Sequence, residues 1–410
     1  MEQVGYGDPS DEDAVDISKH VVLIHGDLGT GERINTILKR RACERRPWER
    51  FQYVEFLPGY FHVKMACVDT IWRIAIKPAL GRQDETCVMK DVGVFRPRET
   101  GTVVSKCEFR RMHQLIKHIG TVRRLDCWRI AVHKKYPQYS TLEEFAKSKP
   151  KLDDLQVLAE KLVEEYVADH RISSMRSNPD SERDQQFENA ALIQQYFLLY
   201  EELTYAMNCG DIGRLERTVS VWIPLFKATG KHKYATAMEK HLVQTHFERP
   251  EPLKRAIRYN MLVNPTGKPG KFRAVDWVVE GNNCEIKVNH GGQGATRTVA
   301  RMITESALIG TFKEINESIE NNLLLHASSA HGEPDMRRTF QEARRSLSGI
   351  SPHVFVPGRK SMYCLPDMLN KGAELLRNKS GGGSGDEENG DEANEYESRP
   401  TVDDLVIELL

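Results

Sequence analysis

Residues 189–211, NAALIQQYFLLYEELTYAMNCGD, constrain the fold more than any other stretch of this chain. They read as a helix that is apolar almost all round, and a helix without a polar face has to be enclosed by other elements. Asn208 and Gly210 supply its stop, and Asp211 caps a following helix, IGRLERTVSVWIPLF, that Gly230 ends. HKYATAMEKHLVQTHF comes next and halts before Pro250 and Pro252. Upstream, LDDLQVLAEKLVEEYV (152–167) sets Leu152, Leu155, Leu158, Leu162 and Tyr166 on one face. The pattern is therefore helical from 106 to about 250.

The first hundred residues have a different rhythm. A strand over 21–25, a helix over 32–44, a strand over 51–57 (FQYVEFL), a Pro58-Gly59 break and a helix over 61–76 predict a sheet with covering helices. Residues 78–105, punctuated by Pro78, Gly81, Gly93, Pro97 and Gly101, read as loops. NPTGKPG (264–270) is a further loop, FRAVDWVVEG opens a new segment, and a long helix is predicted over 297–325. The tail KSGGGSGDEENGDEANEYESRP cannot bury enough apolar surface to offset the entropy of ordering, so it is predicted to be disordered. The resulting division is an acidic disordered N-terminus (1–16), an α/β part (17–105), a helical region (106–250), a mainly helical C-terminal region (251–379) and a disordered acidic tail (380–410).

Composition narrows the function class. No apolar run approaches the ~18 residues of a membrane span, and the acidic start MEQVGYGDPSDEDAVD has no signal core. The expectation is a nuclear or cytoplasmic protein, neither secreted nor membrane-bound. None of the eight cysteines forms a C-x-x-C pair, which argues for reduced thiols over a zinc ribbon or disulfide framework. The net charge of −1 conceals an asymmetry: the two ends hold 16 acids and one base, leaving 57 bases against 43 acids in 17–379. A basic body of this kind suits a polyanion such as DNA, or else carries its excess charge into solvent.

The stretch VVLIHGDLGTGERI (21–34) places Asp27 just past an apolar strand, between glycines. A phosphate loop would need a Lys-Ser/Thr pair, and a dinucleotide fingerprint would need G-x-G-x-x-G; both are missing. Two readings stay open: a metal-binding carboxylate at a strand end, as in two-metal phosphoryl transfer, and a turn aspartate capping the next helix. Asp276 and Glu280 in AVDWVVEG stand at i, i+4, so on a helix they face one way and either share a metal or line the wet side of a packed segment. Lys268 and Lys271 sit in a Pro/Gly turn that suits phosphate or is a plain loop. KCEFRRMHQLIKHIGTVRRLDCWRIAVHKK carries Arg110, Arg111, Lys117, Arg123 and Arg124. With Met112, Leu115, Ile116 and Ile119 facing the core, part of that basic set forms a backbone-binding stripe or a mixed-charge surface. No serine nucleophile elbow and no H-E-x-x-H motif appears.

Five stretches in order, HGDLGTGERI (25–34), PGYFHVKMACVDTIWR (58–73), FRRMHQLIKHIGTVRRLDCWR (109–129), GDIGRLERTVSVWIPLFKATGKHKYA (210–235) and NMLVNPTGKPGKFRAVDWVVEGNNCEIK (260–287), resemble an uncharacterised domain family, abundant in fungal genomes and associated with mobile elements. Members carry more chain ahead of the GD motif than the 25 residues here, so the resemblance implies a shortened N-terminus. More loosely, the layout is similar to cut-and-paste transposases with a ribonuclease H-like core. That resemblance implies an α/β fold with a mixed sheet, a large helical insertion and three acids holding Mg or Mn. Asp27 matches the first position and Glu216, in RLERTVSVW, the third. No Asp occupies the second position, where Asp69 and His62, two helical turns apart, are the candidates. The implied function is that of a metal-dependent DNA transposase or nuclease core; the alternative is a non-catalytic domesticated or remnant protein that binds nucleic acid or partner proteins. Nothing in the residues sets an oligomeric state.

Overall fold

A computed structural model describes residues 17, 20–169, 171–290, 298–306, 308–323 and 335–380. Of the ends expected to be disordered, 1–16 and 380–410, all but Ser380 lie outside the described residues.

The chain opens with β1 (Val22–Gly26), α1 (Leu28–Arg40), the single turn α2 (Pro47–Arg50), β2 (Val54–Pro58) and α3 (Tyr60–Ala75). The two strands pair in parallel, Val22 against Val54 through Gly26 against Pro58. Parallel strands need a crossover, and α1 with the α2 turn supplies it. The crossover lies close on the sheet because Gly31 has no side chain: a Cβ there would sit 2.3 Å from the Phe56 ring.

Helices dominate from there: α4 (Val88–Phe95), α5 (Thr100–Ser105), α6 (Phe109–Lys135), α7 (Leu142–Lys147), α8 (Leu152–Tyr166), α9 (Arg171–Ser177), α10 (Gln185–Cys209), α11 (Ile212–Ala228) and α12 (His232–Val243). A π turn, Gln244–Glu248, leads into α13 (Glu251–Asn260). The short strands β3 (Leu262–Val263) and β4 (Arg273–Ala274) form an antiparallel pair. α14 (Val275–His290), α15 (Val299–Ser306), α16 (Ile309–Leu323), α17 (Arg337–Ile350) and α18 (Met368–Ser380) complete the order.

This architecture overturns the expected ribonuclease H-like mixed sheet. The described residues are 69% helix and 4% strand, in two sheets of two strands each, too few for such a core. The opening rhythm of strand, helix and strand is present, but among the described residues no third strand joins it. Residues 78–105, expected as loops, form a 3₁₀ turn (Gly81–Gln83), α4 and α5. Val88, Val92 and Phe95 are buried at a helical spacing that the glycines and prolines around them mask. The long helix expected over 297–325 is described as two, α15 and α16, either side of residue 307.

The enclosed helix is where the sequence puts it. α10 buries Leu192, Tyr196, Phe197, Tyr200, Leu203 and Met207, each large apolar side chain worth about 1.5–3 kcal/mol. Asp184 caps its start by accepting from Phe187 N at 3.0 Å, and Gly210, at φ 73°, ends it. α11 then starts on Asp211, which accepts from Arg214 N at 2.9 Å. On α8, Leu158, Leu162 and Tyr166 are buried as expected, whereas Leu152 is exposed. The irregular segment after α17 is pinned by buried polar groups of the helical body: Asp184 accepts from Val356 N at 2.7 Å and pairs with Arg359 at 2.6 Å, and Asp84 accepts from Met362 N at 3.1 Å.

Candidate active site at the ends of the parallel strands

β1 and β2 end side by side, joined by Gly59 N donating to Gly26 O at 2.8 Å. Each runs directly into a helix, so the N-termini of α1 and α3 lie together at the carboxyl ends of two parallel strands. In open parallel sheets this is where ligands bind, and clustered helix N-termini favour negative charge.

That charge comes from a distant part of the chain. Asp276, in the first turn of α14 and 2% exposed, reaches the start of α3. Its carboxylate accepts from Phe61 N and His62 N, both at 3.1 Å, and lies 3.0 Å from His62 Nδ1. Gly59 makes room for it: a Cβ there would stand 2.1 Å from Asp276 Oδ2. A carboxylate accepting at Nδ1 assigns the ring hydrogen to that nitrogen and turns Nε2 toward Glu280, whose Oε1 is 3.8 Å away. Asp276 and Glu280 thus share the face their spacing predicts, and that face is turned on the buried His62.

Of the two readings of Asp27, the cap is observed. It is the N-cap of α1, accepting from Thr30 N at 2.7 Å. Burial pulls its carboxyl upward, but the Thr30 hydrogen bonds and the charges of His62 and Arg33 outweigh that and leave it below the usual range. His25, two residues earlier, is held below the ordinary imidazole range by burial, against the opposing charge of Asp276. His25, Asp27, His62, Asp276 and Glu280 therefore form one electrostatic neighbourhood.

The other predicted acids are elsewhere engaged. Glu216 is 6% exposed and pairs with Arg258 at 3.1 Å and His246 at 3.3 Å. Asp69 pairs with Lys231 and Arg73, both at 2.8 Å; burial pushes its carboxyl up, and those two cations more than reverse the effect. Among the described residues, no group of three or more His, Cys, Asp or Glu is placed to hold a metal ion as it stands.

The predicted basic stripe on α6 is largely compensated. Arg123 is 1% exposed and pairs with Asp91 at 2.7 Å while donating to Thr86 O at 2.8 Å. Burial drives the Asp91 carboxyl up despite that partner. Arg111 pairs with Glu99 at 2.7 Å and with Glu108, and Arg124 with Glu201 at 2.7 Å. Arg110 is half-buried, and Lys117 lines an open groove with Arg337 and Arg344 of α17. Lys268 is exposed and Lys271 half-buried, in a loop turned by Gly267 (φ 66°) and Gly270 (φ 71°).

Sequence reasoning missed His25 and the docking of α14 on α3. The usable signal was the Gly59–His62 spacing directly after a strand, beside an i, i+4 acid pair. In the comparison with protein families, residues 1–331 match a family of unknown function, DUF6589. No curated protein and no solved structure matches the chain.

Proposed function

We propose, for a chain that belongs to the DUF6589 family, that the neighbourhood of Asp27, His62, Asp276 and Glu280 is a divalent-cation-assisted phosphodiester-cleaving centre in a nuclease or transposase carried by a mobile element. The observation that carries the reading is the convergence itself. His62 stands 3.0 Å from Asp276 and 3.8 Å from Glu280, and the charges of His62 and Asp276 act on Asp27 and His25 at the end of β1.

The donor set suits the metal. A metal-binding imidazole ordinarily gives its other N–H to a carboxylate, which fixes its tautomer and raises its basicity. Asp276 stands in that relation to His62. Asp27 and Glu280 would supply the oxygen donors that Mg or Mn takes, and His62 Nε2 would add a nitrogen that Mn accepts more readily than Mg. When bound, the ion would polarise the phosphate and favour an attacking hydroxide. The protein's own part is to keep the His62 ring in one orientation, and to present the N-terminal amides of α1 to the anionic substrate.

Asp27→Asn separates the two roles of that residue. Asparagine caps a helix about as well as aspartate, so the fold is kept while the charge is lost. Wild type is expected to nick DNA with Mg or Mn, and Asp27→Asn and Glu280→Gln to lose on the order of a hundredfold or more of that activity with unchanged unfolding curves. Cleavage that survives both substitutions defeats the proposal. A second reading, a non-catalytic protein that binds nucleic acid or a partner, is favoured by one observation: the Asp27 carboxylate is already satisfied as a cap. Salt-dependent DNA binding without cleavage is the result that would select it.

A further inference from the structure

Beside the parallel sheet lies a surface that the chemistry above does not use. The π turn and α13 leave Phe247 84% exposed and Tyr259 78% exposed, the two most exposed large apolar side chains of the described residues. Burial follows a clean phase on α13. Ile257 faces the core, while Pro252, Arg255, Ala256 and Tyr259, at i, i+3, i+4 and i+7, form one exposed stripe. The Phe247 ring precedes the start of that stripe and Tyr259 ends it.

The surroundings are strongly positive. From Lys240 to Arg273 the chain carries eight Lys or Arg and two acids. Of these, Arg258 and Arg249 are spent on structure, pairing with Glu216 and with Glu55 of β2. Lys240, Arg255 and Lys268 are exposed. Arg249 ties the segment to Glu55 near the start of β2, and the ring of His241 in α12 meets Tyr60, the first residue of α3, edge-on with centroids 6.0 Å apart. The surface therefore lies beside the sheet, where α12 packs on β2 and the start of α3.

Phe, Tyr and Arg also occur in protein interfaces, but lysine is depleted there, and Lys240 and Lys268 stand exposed in this segment. Spaced aromatic rings among lysines and arginines instead match single-stranded nucleic acid, whose bases stack on the rings and whose phosphates meet the cations. We propose that Phe247 and Tyr259, with Arg255 between them, form a stacking platform for single-stranded nucleic acid leading to the strand-end site. The substrate class then becomes a strand with unpaired bases, as at a melted end. This deepens the cleavage reading and rests on it for its biological meaning, but binding to the platform needs no metal.

The test is fluorescence anisotropy on the full chain, in EDTA, with a short labelled single strand of DNA and the corresponding duplex. Wild type is expected to prefer the single strand. Phe247→Ala and Tyr259→Ala should each weaken that binding on the order of tenfold while leaving duplex binding within about twofold. Arg255→Gln should reduce the salt dependence by slightly less than one counterion. Both aromatic side chains are exposed, so these variants are expected to fold, and circular dichroism checks it. Equal loss on both strands, unchanged binding in both aromatic variants, no binding by wild type, or a dimer that Phe247→Ala dissociates would each overturn the platform. A wild-type protein that binds the single strand in EDTA but fails to cleave it with Mg or Mn removes the chemistry and leaves the platform.

Discussion

Replacing Gly59 by alanine tests the joint on which the candidate site is built. The added Cβ would stand 2.1, 2.3 and 2.7 Å from Oδ2, Cγ and Cβ of Asp276. All three atoms belong to one short side chain on the rigid first turn of α14, and its carboxylate is occupied by Phe61 N, His62 N and His62 Nδ1. No rotation relieves the clash while keeping those contacts. Either Asp276 swings away and leaves buried donors unsatisfied, at about 1–3 kcal/mol each, or α14 shifts as a whole and loses packing. The expected cost is about 3–5 kcal/mol, a large share of a typical 5–15 kcal/mol total. Hydrogen exchange read by mass spectrometry should show a fall of about two to four orders of magnitude in the protection of residues 60–63, and urea unfolding should show the same loss. Gly93→Ala is the control: nothing lies within 4 Å of its Cβ, and it sits inside α4, so a gain of about 0.5–1 kcal/mol is expected. A Gly59→Ala protein with wild-type stability and unchanged exchange at 60–63 would refute the account of Asp276 as the clamp on α3.

Three further outcomes follow from buried groups. Burial, aided by the positive charges of His246, His25 and Arg249, lowers His241 to about 4. The folded state therefore binds its proton less readily than the unfolded chain, so stability is fully present above pH ~6.5 and falls as the pH drops toward 4, by about 3 kcal/mol from this group. His241→Phe should flatten that part of a pH-resolved unfolding series; a slope as steep as wild type between pH 4 and 6.5 would contradict the assignment. Arg123→Ala leaves Asp91 uncompensated in the interior and should destabilise by about 3–5 kcal/mol, whereas a change below about 1 kcal/mol in urea unfolding would show that the pair behaves as a surface one. Gly372→Ala places a Cβ 2.0 Å from the Pro224 carbonyl oxygen. It should lift α18 off α11 and open a protease-sensitive site there, which limited proteolysis reads directly; wild-type resistance would exclude so close a contact.

Much of the helical body was legible because local signals agreed with one another. Asp211, Gly210 and Gly230 sit where the caps and stops were read, and the apolar residues of α10 face inward in nearly every direction. The sheet was overcalled because β1 and β2 are genuine strands whose pattern carries no information on how many neighbours they will find. Arg123, counted in the basic set of α6, lies four residues after Ile119 and seven after Ile116, in phase with the buried side; its charge masks that position. Asp27 stands just past the end of β1, where the apolar run before it places it, and caps α1. Its proposed companions Glu216 and Asp69 turned out to have cationic partners supplied by α13, the π turn, α3 and Lys231, and such pairings across the fold leave no mark in local sequence. Asp276 and His62 were singled out separately, but their contact spans 214 residues and only the fold joins them.

The claim on which the functional account stands is that Asp27, His62 Nε2 and Glu280 hold a divalent cation. Anomalous scattering from crystals soaked in manganese measures this directly. The account predicts a single peak at the ends of β1 and β2, within about 2.0–2.6 Å of donors from all three residues, with Asp276 still hydrogen-bonded to His62 and with the peak absent in Asp27→Asn. Crystals saturated with manganese that show Asp27 still capping Thr30, and no ion beside His62, would contradict it.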